Sequence, residues 1–104
     1  MPEENNTPQR IRVGGNVQAA NLIRKVQPEY PAEAKSRNIQ GTVEFTVIID
    51  KEGKTTILTL NSGPLALYES ARDAVRQWRY KPTMLIGRPV DVITQIHVNF
   101  ALTR

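Results

Sequence analysis

Gln27-Pro28-Glu29-Tyr30-Pro31 and, later in the chain, Trp78-Arg79-Tyr80-Lys81-Pro82 decide how this protein folds. Each run sets a rigid proline, which fixes φ and removes a backbone donor, beside an aromatic ring that needs a wall to lie against. Neither carries catalytic chemistry. They read as two corners of a small α+β domain.

Working outward from the first corner, Tyr30-Pro31 opens a short helix, because proline at a helix start loses a donor that was unpaired anyway. Ala32 to Arg37 is helix-compatible, Asn38 suits a left-handed stop, and Ile39 packs back. Gly41 to Asp50 is the clearest strand: Val43, Phe45, Val47 and Ile49 share one parity, and Thr42, Glu44 and Thr46 the other. Asp50-Lys51-Glu52-Gly53 is a hairpin loop with glycine where positive φ is wanted. Thr55 to Asn61 returns as a strand, with Leu58 and Leu60 expected on one side.

Ser62-Gly63-Pro64 breaks the chain ahead of the second corner. A helix is expected from Leu65 to Trp78, with Leu67, Ala71, Ala74, Val75 and Trp78 on its apolar face and Arg72, Arg76 and Arg79 on a solvated one. Gly87-Arg88-Pro89 turns the chain into a long final strand, Val90 to Leu102, in which even-numbered residues are mostly apolar. Upstream of the first corner, Arg10 to Val13 alternates, Gly14-Gly15-Asn16 signals a turn, and Val17 to Val26 is expected to return as a second strand. Met1 to Gln9 is polar and Pro-containing and reads as an unstructured tail or linker end.

The chain has 104 residues, 39% hydrophobic and 23% charged, which suits one domain spanning residues 10–104 with its core at 22–102. The net charge of +4 favours anionic partners without selecting nucleic acid, because the cations are spread along the chain. With no cysteine, disulfides and thiolate metal sites are excluded. No apolar run reaches the ~20 residues of a membrane helix. The polar start shows no signal peptide, and taken alone it places the chain in the cytoplasm.

Direction decides which strand is outermost. The strand 41–50 runs up, 55–61 runs down, and the helix carries the chain back up, so the final strand is antiparallel to the first of the three and pairs with it. It is therefore a long edge. From Val92 to Leu102 it holds no Lys, Pro or Gly, the residues that usually blunt an edge. Three occupants fit such an edge: an N-terminal strand from Asn16 to Val26, a second copy of the chain, or a peptide strand from a partner.

The ordered set of motifs resembles the C-terminal domains of TonB-type energy transducers, a fold shared with TolA. Gln27 to Pro31, Gly41-x-Val-x-Phe-x-Val47, Gly53, Ser62-Gly63, Trp78 to Pro82 and Gly87-Arg88-Pro89-Val90 follow that family's order over roughly Leu22 to Leu102. The resemblance implies an antiparallel three-stranded sheet with two helices on one face, with an extra N-terminal strand or hairpin. It implies a periplasmic domain held to the inner membrane by an anchor and Pro-rich linker upstream of Met1. It also implies capture of the TonB box of outer-membrane TonB-dependent transporters by strand addition, and coupling to motor proteins of the ExbB/ExbD type driven by proton motive force. The box would lie along Val92, Ile93, Thr94, Gln95, Ile96, His97, Val98 and Asn99, near Gln27 and Pro28. The Arg10 to Val26 segment has no secure counterpart in the family pattern.

Each candidate also has a plainer reading. Tyr30 reads first as structural, with its ring packed on the sheet and ligand contact as the second role; Gln27, whose amide both donates and accepts, is the better contact. Trp78 reads as the largest core residue with its N–H on a carbonyl. His97 is the one histidine and cannot form a zinc site without other strong ligands. No catalytic constellation or cofactor motif is present, so the chain does not read as an enzyme. The rival class is a ferredoxin-like RNA-binding domain, which needs exposed aromatics on its central strands; the parity of Phe45 turns that ring inward instead. A TolA-type structural module and a homodimer are the remaining alternatives.

Overall fold

A computed structural model describes residues 10–102. The elements run β1 (Arg10–Arg12), α1 (Gly15–Ala19), β2 (Leu22–Arg24), α2 (Ala32–Ser36), β3 (Gly41–Ile49), β4 (Thr55–Ser62), α3 (Leu65–Val75), β5 (Arg79–Tyr80), β6 (Thr83–Leu85) and β7 (Arg88–Phe100). The expected tail, Met1 to Gln9, lies outside the described residues.

Strand β3 is central, with β4 and β7 antiparallel on its two sides. Its register with β7 is unbroken from Gly41↔Phe100 to Ile49↔Val92. The period of two then sends Val43, Phe45, Val47 and Ile49 of β3, and Val92, Ile96, Val98 and Phe100 of β7, to the same face. There they meet Ala34 of α2 and Leu67, Ala71 and Val75 of α3, forming one core under two helices. Phe45 is fully buried, so the aromatic that an RNA-binding sheet would display is inside the domain.

Turn chemistry follows the expected positions. Asn38 adopts φ 58° and ends α2, after which Ile39 packs on the core. Gly53 adopts φ 86° in the β3–β4 hairpin, and a Cβ there would lie 1.9 Å from the Tyr80 carbonyl oxygen, so only glycine fits.

Three expectations change. Val17 to Val26 is not one strand: it splits into α1 and the three-residue β2, which pairs with β5. Gln18, Ala19 and Ala20 lack the branched side chains a strand prefers, and the Gly14 carbonyl accepts the Gln18 N–H to close a helical turn. Leu58 and Leu60 do not share a side, because the ladder shifts between Thr46↔Thr59 and Val47↔Ile57. That bulge turns Leu58 outward at 49% exposure, while Ile57 and Leu60 pack on the core. The third concerns α3, expected to run to Trp78, which ends at Val75; Arg79 and Tyr80 then serve as β5.

Trp78 ties the two corners together. Its ring is buried, its Nε1–H donates to the Val26 carbonyl at 2.9 Å, and the Lys25 ammonium lies 5.5 Å from the ring centre. Trp78→Phe should cost roughly 1–3 kcal/mol, because the Val26 carbonyl loses its donor; urea unfolding checks this, and an unchanged midpoint would count against it. Burial also pushes the Tyr80 phenol up from 10.0 to about 12. The folded state holds that proton more tightly, so the associated stability is complete below the unfolded pKa and is lost as pH rises through about 12. Alkaline unfolding of Tyr80→Phe should accordingly be shallower than that of the wild type over this window.

Candidate functional site

The outer edge of β7 is built by the ladder arithmetic of the sheet. The Ile93 carbonyl accepts the Val13 N–H at 3.1 Å, so it points away from β3. Backbone groups two residues apart point the same way, which sends the N–H and C=O of Gln95, His97 and Asn99 outward as well. Val92, Thr94, Ile96, Val98 and Phe100 turn theirs toward β3.

That edge is not uniform. Strand β1 pairs with Asp91 to Ile93, in parallel, so Arg10 to Arg12 occupies the position expected of Asn16 to Val26. The N-terminus of α1 then seats on the next stretch: a Cβ on Gly15 would lie 2.7 Å from the Gln95 carbonyl oxygen. Beyond it, His97 and Asn99 have no outward backbone partner among the described residues. The border of the sheet is thus closed along residues 91–93, crowded at 95, and open at 97 and 99.

Side chains divide by parity. Val92, Thr94, Ile96 and Val98 are buried in the core and offer a guest neither side chain nor ladder. Ile93, Gln95, His97 and Asn99 stand on the face away from the helices. That face carries a polar network across three strands. His97 Nε2 lies 3.1 Å from Glu44 Oε1, the Asn61 amide donates to Glu44 Oε2 at 3.0 Å, and the Thr46 hydroxyl donates to Asn61 Oδ1 at 3.1 Å. The Thr42 hydroxyl bonds Asn99 Oδ1. Sequence reasoning misses the Glu44–His97 pair, although both residues lie on the outward parity and the register places them opposite each other.

Gln27 and Pro28 line a cleft of about 660 Å³ between the 26–32 segment and the Glu69–Ser70–Asp73 side of α3, with Gln77 just beyond the helix. Gln27 is exposed there, and the Ser70 hydroxyl donates to the Glu29 carbonyl. Tyr30 plays a structural part: its ring meets Phe100 edge-on at 5.5 Å and its hydroxyl donates to the Ile39 carbonyl. A second hollow, of about 210 Å³, is the one the β7 edge faces. It is lined by Gly15, Leu22, Lys25 and Trp78 together with Gln95, Ile96 and His97. Gln27 and Pro28 do not line it, so the structure places the expected contacts in two neighbouring depressions. Beside the second, Gln18 is 1% exposed and its Nε2 has no acceptor among the described residues.

No group of three or more His, Cys, Asp or Glu that could hold a metal occurs among the described residues. No described helix is long and apolar enough to cross a membrane. The chemistry this arrangement offers is backbone hydrogen bonding along a short stretch of edge, with shallow side-chain contacts beside it.

Residues 26–102 match the family model described as Gram-negative bacterial TonB protein C-terminal. Protein TonB of Vibrio cholerae serotype O1 is 40% identical over 81 residues, covering 75% of this chain and 33% of that protein. Protein TonB of Klebsiella pneumoniae is 35% identical over 74 residues, covering 69% of this chain and 29% of that protein. The chain therefore spans about a third of the length of the relatives it matches. The solution NMR structure of the Pseudomonas aeruginosa TonB C-terminal domain superposes with a TM-score of 0.61 at 23% identity, covering 80% of this chain and 86% of that one. It shares the α+β architecture.

Proposed function

The chain belongs to the TonB C-terminal domain family, and from that premise we propose that it is the receptor-contacting piece of a periplasmic energy transducer, binding an extended peptide of an outer-membrane transporter by strand addition to β7. The observation that carries this reading is the outward N–H and C=O of His97 and Asn99, without a backbone partner among the described residues, on a strand whose other edge is paired with β3 from Val92 to Phe100.

The energetics fit a reversible grip. Each net backbone hydrogen bond contributes ~0.5–1.5 kcal/mol, so four such bonds supply only a few kcal/mol. Ordering a flexible peptide costs ~2–5 kcal/mol, which leaves side-chain contacts to provide the surplus. The hollow beside Leu22, Lys25 and Trp78 supplies these for the strand itself, and Gln27 and Pro28 supply them where the guest leaves the edge. Affinity on the order of micromolar, ~8 kcal/mol, therefore rests on those side-chain contacts. A guest that extends past Gln95 displaces α1 and β1, which places Ile93 at the far limit of the site. Because strand addition reads main chain, one domain can serve several transporters. In the whole protein, an inner-membrane anchor, a linker and a motor of the ExbB/ExbD type complete the transducer, and pulling through this grip is the work the domain does.

The test is a substitution that removes an outward backbone donor, read against His97→Ala, which loses the same imidazole and its contact with Glu44 but keeps the N–H. His97→Pro deletes an N–H that faces away from β3, and proline is tolerated on a sheet edge. A TonB-box peptide titrated into His97→Pro should bind about two- to tenfold more weakly than into His97→Ala, with the β3–β7 core chemical shifts preserved. Equal affinity would show that the peptide does not use this edge. A second copy of the chain seated there instead would appear as a dimer in sedimentation, weakened by the same substitution.

A further inference from the structure

The hairpin between β6 and β7 lies outside the strand-docking edge and is unusual in its own right. Its two turn residues, Ile86 and Gly87, both adopt positive φ, 51° and 74°, and the register closes Leu85 against Arg88. A two-residue turn of this shape favours Asn-Gly, because asparagine tolerates the left-handed conformation and a β-branched side chain does not. Here the strained position holds isoleucine, 94% exposed. Met84 at 56% and Leu85 at 38% stand beside it, and every residue from Met84 to Pro89 is exposed. Three consecutive large apolar residues are thus exposed at the hairpin tip, one of them in a conformation that disfavours it. A surface selected for solubility alone would not keep that arrangement.

Charge identifies the partner. Between Asp73 and Asp91 the chain has no acidic residue, and it has four cations: Arg76, Arg79, Lys81 and Arg88. Lys81 and Arg88 flank the apolar tip directly, and the first carboxylate after it, Asp91, lies at the hairpin base. An apolar point flanked in sequence by two cations matches the boundary of an anionic lipid leaflet, where side chains enter the acyl region while Lys and Arg meet the headgroups. A soft apolar phase receives such a projection without a shaped pocket. We infer that the Met84-Leu85-Ile86 tip, with Lys81 and Arg88, inserts into the surface of an anionic lipid bilayer.

The test compares vesicles of phosphatidylcholine alone with vesicles of equal phosphatidylcholine and phosphatidylglycerol, by co-sedimentation at low and moderate salt. A basic chain adheres to anionic vesicles by charge alone, so the informative variant keeps the charge. Met84→Ser/Ile86→Asn should lower partitioning into the anionic vesicles about tenfold, and Ile86→Asn alone should raise the melting temperature by relieving the turn. A Met84→Trp variant should show blue-shifted emission on binding the anionic vesicles. Arg88→Glu should also weaken binding. Partitioning equal in the wild type and Met84→Ser/Ile86→Asn, with no blue shift from Met84→Trp, would overturn the inference. Failure of the wild type to bind the anionic vesicles at all would do the same, and would leave a protein pocket as the seat of the tip.

Discussion

The unbroken antiparallel pairing of β3 with β7 is the constraint from which the rest of the structure follows. Because β3 runs from Gly41 to Ile49 against Phe100 to Val92 without a bulge, all its odd-numbered apolar residues face the same way as the even-numbered ones of β7. A one-residue slip would reverse that and expose the core, so the register is strongly specified. The same pairing consumes one edge of β7 and leaves the other to be filled by something else. The ladder that builds the core thus also creates the border at which the proposed guest strand would add.

Two parts of the chain partly fill that border. Strand β1 pairs over three residues, and α1 is a five-residue helix with no side-chain cap and a buried Gln18 whose Nε2 has no acceptor among the described residues. Elements with so few internal bonds open at low free-energy cost. By contrast, the opposite wall is held firmly. Trp78 bonds Val26, Tyr30 bonds Ile39 and meets Phe100, and Ser70 bonds Glu29, so the 26–31 segment is fastened to α3 and to the sheet at three points. The edge thus has a yielding side and a rigid side, an arrangement suited to admitting a strand and then withstanding a pull along it.

Much of this architecture is legible in the amino-acid order. The period-two runs at 43–49 and 90–100, the Gly53 turn, the left-handed Asn38 and the inward Phe45 all follow from local chemistry, and the strand directions alone place β3 in the centre. Arg10 to Val13 reads as an alternating piece and forms β1, yet its parallel partner lies some eighty residues away, a distance no local pattern spans. The 17–26 segment misleads because Leu22, Ile23 and Val26 suggest a strand, while its Gln-Ala-Ala stretch and its short pairing with Arg79-Tyr80 decide otherwise. The Leu58 bulge is hidden for a similar reason: one extra residue reverses parity, and composition does not reveal it. At the site, residue identity marks β7 as a bare edge, but which of its groups stay unpaired depends on α1 and β1 and so on tertiary packing.

The central claim concerns two amide groups. Hydrogen exchange of the His97 and Asn99 N–H, followed by NMR with and without a saturating TonB-box peptide, reads them directly. The account predicts exchange slowed at least tenfold at both amides in the complex, while those of Thr94, Ile96 and Val98, already bonded to β3, change little. A peptide that binds and leaves His97 and Asn99 exchanging as fast as in the free domain would contradict it.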